Sequence, residues 1–101
     1  MVIPKQAKIG GIVYKVVIAE EWPGRVVGEH DGECFYDQTH GNTIYIGAEL
    51  SQEAQEITFI HEALHAMNAT MDHEFLDSLA EQLYQFLADN GLLKGHFTPE
   101  K

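Results

Sequence analysis

Thr58-Phe59-Ile60-His61-Glu62-Ala63-Leu64-His65-Ala66-Met67 sets two histidines four residues apart in a helix-forming run, with a glutamate directly after the first. At about 100° per residue, His61 and His65 stand one turn apart on one side, where two imidazoles can converge on a single ion. Glu62 is rotated away from that pair by one residue. In a His-Glu-x-x-His helix the carboxylate lies beside a metal-activated water and takes its proton, while the ion lowers that water's pKa from 15.7 to about 7. The spacing therefore implies a zinc site: Zn²⁺ as cofactor, His61 and His65 as ligands, Glu62 as the catalytic base. Three fixed positions in five recur by chance in roughly a few of every thousand chains of this length, so accident is a poor account of the motif.

Ile57, Leu64 and Asn68 share the face of His61 and His65, which turns both imidazoles toward the interior. Phe59, Ala63 and Met67 fall on other faces, so apolar residues go most of the way round. That pattern predicts a central, heavily buried helix. Ser51 is a good N-cap and Glu53 lies in the first turn, so the helix is expected from there to about Ala69. After a short connection, Thr70-Met71-Asp72, a second helix is expected from about His73 to Asn90, stopped by Asn90-Gly91 and antiparallel to the first. Leu76, Leu79, Ala80, Leu83 and Leu87 form its apolar face, with Glu74 and Glu81 roughly opposite.

Upstream, the residues read as strands. Ala7-Lys8-Ile9 and Ile12 to Ile18 flank Gly10-Gly11, a two-residue hairpin turn. Cys34-Phe35-Tyr36-Asp37 can pair with Thr43-Ile44-Tyr45-Ile46 across residues 38–42 as a second hairpin. Pro23-Gly24 marks a turn before Arg25 to Glu29, a short possible strand. Trp22 reads as a lid on the core, and His30 beside Asp31 as a turn and not a catalytic pair. The strand just before the motif helix, Thr43–Ile46, is placed to accept an extended substrate as an added strand. The expected fold is α+β: a small N-terminal antiparallel sheet of two hairpins packed on a two-helix hairpin.

The chain has 101 residues, 45% of them hydrophobic, and 16 acidic against 6 basic residues give a formal charge of −10. That length suits one domain, residues 1–101 with 91–101 as a tail, burying about 65% of its extended surface. The negative balance argues against nucleic acid or an anionic membrane as partner and suits cations and basic segments. The carboxylates are scattered, and solubility is their ordinary use. A single cysteine, Cys34, excludes an intramolecular disulfide, and no signal-like or membrane-spanning run is visible, so a cytoplasmic location is expected.

Two imidazoles make a poor site, and an open zinc centre takes a third protein ligand. His73 and Asp77 lie at the edge of the second helix's apolar face and Glu74 points to solvent. The short connection returns His73 toward His65. Asp77, one turn on, is either a substitute ligand or the acceptor that orients an imidazole. His40 and His96 read as surface histidines, and Tyr36, Tyr45 and Tyr84 as packing residues that could also polarise a carbonyl.

With strand Thr43–Ile46, the run Glu56 to His65 and the segment Leu79-Ala80-Glu81-Gln82-Leu83-Tyr84-Gln85 in this order, the chain resembles a known group over most of residues 8 to 90. It is similar to the short phage- and prophage-encoded, zincin-like metallopeptidase domains related to the ImmA/IrrE-type peptidases. In that pattern a glutamate six residues before a Phe-Ala pair on the following helix supplies the third ligand. Matching Leu79-Ala80 to the pair places the ligand column at His73, a histidine where the relatives have glutamate. The resemblance implies a zinc-dependent peptidase acting on a peptide or protein substrate, with a regulatory or phage-related protein as target. The alternative is a non-catalytic protein in which zinc ties the two helices together; a metal-free adaptor is a third reading.

Overall fold

The computed structural model describes residues 1–35 and 41–93. Tyr36, Asp37, loop residues 38–40 with His40, and the tail from residue 94 with His96 lie outside the described residues. Four strands precede two helices: β1 (Gln6–Ile9), β2 (Ile12–Ala19), β3 (Gly32–Phe35), β4 (Thr43–Gly47), α1 (Gln52–Met67) and α2 (His73–Asp89).

Gly10 and Gly11 both take positive φ, 59° and 85°, as a two-residue turn matched to the twist of its strands requires. β1 and β2 then pair antiparallel from Gln6↔Lys15 to Ile9↔Ile12. A second antiparallel ladder joins β3 to β4, from Gly32↔Ile46 to Phe35↔Thr43. Both expected hairpins are present, yet the sheet is not antiparallel throughout. β2 pairs with β4 in parallel, Lys15↔Thr43 to Ala19↔Gly47, so the order is β1-β2-β4-β3 in a mixed sheet.

Burial explains the correction. β4 reads Thr-Ile-Tyr-Ile-Gly, and Ile44 and Ile46 are both 0% exposed, so this strand takes an interior place with a neighbour on each side. β3, with Gly32 and Glu33, is left at the edge. β4 therefore has no free edge for an added strand, contrary to the expectation from its position before α1.

The expected strand at Arg25 to Glu29 is absent, because two glycine turns consume it. Arg25 N–H donates to the Trp22 carbonyl at 3.0 Å around Gly24 (φ 84°), and Glu29 N–H to the Val26 carbonyl at 3.0 Å around Gly28 (φ 93°).

One sheet face carries the core: Ile9, Tyr14, Val16, Ile44 and Ile46, with Phe59, Ala63 and Ala66 of α1 laid over them. Alternation sends Tyr45 to the other face. There Trp22 stacks on it at 5.3 Å, with Phe35 edge-on to Tyr45 at 5.7 Å and the Arg25 guanidinium 4.3 Å from the Trp22 ring. Trp22 is thus a lid on the sheet's outer face.

Caps fix both helices. Ser51 Oγ accepts the Ala54 N–H at 3.1 Å, and α1 stops at Met67, two residues short of the expected end, where the Asn68 N–H donates to Leu64. Asp72 Oδ2 accepts the Phe75 N–H at 3.1 Å to start α2. At its end, Leu92 N–H reaches the Leu87 carbonyl at 2.8 Å and Gly91 N–H the Ala88 carbonyl at 3.1 Å, with Gly91 at φ 72°. That is the paired bonding by which a glycine closes a helix. Leu76 and Ala80 of α2 are fully buried, and α2 packs on α1.

α1 is not heavily buried all round. Its buried residues are Glu56, Thr58 and Glu62, its other apolar positions are half-covered, and Met67 is exposed. The sheet and α2 both pack on α1 without enclosing it, and its histidines face the start of α2. Among the described residues no helix is long and apolar enough to cross a membrane.

Candidate metal centre

Three imidazoles meet between α1 and the start of α2, in a cleft that β3 also lines. His61 and His65 stand one turn apart on α1, and His73 opens α2. Asn68 organises the connection between them: its Oδ1 accepts the Thr70 N–H at 3.2 Å and the Thr70 hydroxyl at 2.8 Å. This tight return brings one donor atom from each histidine within 4.8 Å of the others. Ring centroids are 4.8 Å apart for His61–His65, 5.1 Å for His61–His73 and 5.5 Å for His65–His73. Zinc at about 2.1 Å from three nitrogens draws them to roughly 3.4 Å of one another. His73 is the exposed member of the set, its side chain 67% exposed.

The two other candidates fall elsewhere. Asp77 Oδ1 lies 2.9 Å from His61 Nδ1, so Asp77 accepts that N–H and leaves the lone pair on Nε2. Nε2 is the atom turned toward Glu62, 3.8 Å from its Oε2. The second Asp77 oxygen is 3.7 Å from His73 Nε2. Asp77 thus has the place of an orienting acceptor between two histidines. Glu74 is exposed and outside the converging set.

Burial sets the protonation of this group. His61 is held below the usual histidine pKa, chiefly by burial, with His65 and His73 adding to the effect and Asp77 and Asp31 opposing it. His65 is likewise lowered, by burial first and then by His73. Neutral imidazoles are the ligating form.

Glu62 runs the other way: at 5% exposure its carboxyl is pushed up to about 8, by burial first and then by Glu33 and Asp77. A buried carboxylate surrounded by carboxylates lacks a cation. An ion between the three imidazoles would supply one, so the donor set and the protonation of Glu62 both fit a divalent metal.

His30 Nδ1 accepts the Val26 N–H at 3.1 Å and so braces its own turn. Tyr84 donates to Glu56 at 3.1 Å, and Tyr45 is held by Trp22; both serve packing.

The contribution of β3 was not foreseen. A Cβ on Gly32 would stand 2.5 Å from Thr58 Cγ2 and 2.8 Å from the Tyr45 carbonyl, so only glycine lets this strand lie against α1 beside Glu62. In sequence, Asp31-Gly32 reads as a turn, and no local signal separates that from a close approach. Glu29, Asp31 and Glu81 also line the site, and they too have no motif. Comparison with protein-family models, curated proteins and solved structures returns no match.

Proposed function

We propose that the protein is a zinc-dependent peptidase, with His61, His65 and His73 as ligands and Glu62 as general base. One observation carries this reading: the buried Glu62 carboxyl opens onto three converging imidazoles, and a cation held by them would favour its charged, proton-accepting form. A structural zinc site closes with four protein ligands and has no use for such a carboxylate. When bound, the ion polarises the scissile carbonyl and acidifies a water molecule. Glu62 takes the proton from that water and returns it to the departing amine. Asp77 holds His61 in the tautomer that presents Nε2. β3, the outer strand beside the site in the sheet order, is where an extended peptide would lie. The resemblance to zincin-like phage and prophage domains supports the same chemistry and suggests a regulatory or phage-related protein as target.

The test pairs metal content with cleavage. Wild type is expected to hold about one zinc per chain, lost in His61→Ala and His73→Ala. Glu62→Gln should keep the metal and lose peptide cleavage by about 10²–10⁴-fold, the usual worth of a positioned base. Wild type purified with zinc available yet containing none would end this reading.

A further inference from the structure

The cleft differs on its two sides. On the side of His61 is a cavity of about 300 Å³, walled by Glu29 and Asp31 from the β2–β3 connection and by Glu81 from α2. On the side of His65 a smaller one, about 240 Å³, is walled by Glu33 and Cys34 of β3, and Glu33 is its one carboxylate besides Glu62. His73 and Glu62 border both.

The carboxylates on the His61 side are not neutralised. Among the described residues no lysine or arginine lines that cavity. Arg25, the one cation between β2 and β3, is turned away, paired with Glu49 and laid over Trp22. Asp77 is engaged by His61 and Glu33 by the Trp22 N–H at 2.7 Å. Glu29, Asp31 and Glu81 have no such partner among the described ion pairs. A concave, one-signed wall concentrates the opposite charge.

We propose that this side of the cleft is a subsite for a lysine or arginine side chain next to the scissile bond, with Glu29, Asp31 and Glu81 as its specificity-determining residues. The proposal rests on the peptidase reading. It adds the substrate class: a basic residue on one side of the bond, with an acidic residue there excluded by three like charges.

Small hydroxamates that chelate zinc test it without a known substrate. One series places the side chain before the chelating group (Xaa-NHOH), and another after it (a malonyl hydroxamate of Xaa), with Xaa lysine, norleucine or glutamate; acetohydroxamate serves as the side-chain-free reference. Binding to the zinc-loaded protein is measured by calorimetry at 50 and 500 mM NaCl. In one series lysine should bind at least about tenfold tighter than norleucine and glutamate weaker than both. The lysine preference should shrink at high salt and fall toward unity in the triple variant Glu29→Gln/Asp31→Asn/Glu81→Gln. Acetohydroxamate binding with equal affinity for lysine and norleucine in both series overturns the subsite and leaves the metal centre standing. Failure of acetohydroxamate itself overturns the metal centre and the subsite together.

Discussion

α1 buries two glutamates to the same degree, Glu56 and Glu62, each 5% exposed, and gives them opposite surroundings. Glu56 receives the Tyr84 hydroxyl at 3.1 Å, the Gln52 amide at 2.7 Å and the Met1 amino group at 3.4 Å. Glu62 has a histidine nitrogen at 3.8 Å and the fields of Glu33 and Asp77. A carboxylate ringed by donors is a fastening between elements. One ringed by acids and imidazoles marks a place where charge must come from outside the chain.

The largest effect expected from this contrast is in stability against pH, measured on protein stripped of metal. Burial holds the Glu62 carboxyl at about 8, above the 4.5 ordinary for a glutamate. The folded state therefore keeps a proton that the unfolded state releases. The stabilisation is complete below pH 4.5 and is lost as pH rises toward 8. His61 and His65, with lowered folded pKa values, act in the opposite sense, losing stability as pH falls below the unfolded histidine value. Denaturant titrations should show Glu62→Gln gaining on wild type by on the order of 2–4 kcal/mol between pH 5 and pH 8. Saturating zinc should remove most of that gain, and a gap that stays constant with pH would falsify the protonated Glu62.

Next in size is the hydrogen bond from His61 to Asp77. Asp77→Asn should weaken zinc binding about 10–100-fold, read by competition with a chromophoric chelator, because the carboxylate sets both the tautomer and the basicity of the ligand. Unchanged affinity would return Asp77 to the role of a surface helix residue.

The smallest effect belongs to the satisfied carboxylate. Glu56→Gln exchanges a charged acceptor for a neutral one and should cost about 1–2 kcal/mol in chemical unfolding, with zinc content unaltered. Loss of metal in that variant would mean the two glutamates are not independent.

The legible parts of this molecule were the local ones. Ser51 and Gly91 act on helix ends within their own turns, Gly10-Gly11 closes its own hairpin, and His61 and His65 are spaced by the helix itself. His73 was brought near His65 by the short connection Thr70-Met71-Asp72, which the helix's earlier end at Met67 lengthens without parting the three histidines. Strand order was not legible, since pairing within each hairpin is fixed by its turn, while the β2–β4 ladder depends on which strand is best buried on both faces. Arg25 to Glu29 misled because β-branched Val26 and Val27 outweighed Gly28, whose turn follows directly on the one marked by Pro23-Gly24. Gly32, Glu29, Asp31 and Glu81 reach the cleft by tertiary placement alone.

The parallel ladder also sets an order of assembly. Both hairpins and the helix pair can form from neighbours in sequence, but Lys15↔Thr43 joins positions 28 apart, 43 less 15, and such contacts cost chain entropy before they return any energy. β3 reaches α1 across a comparable separation, Gly32 lying against Thr58 and Glu62. The cleft therefore belongs to the non-local part of the fold, and its walls are held by contacts that no single hairpin or helix pair can make by itself.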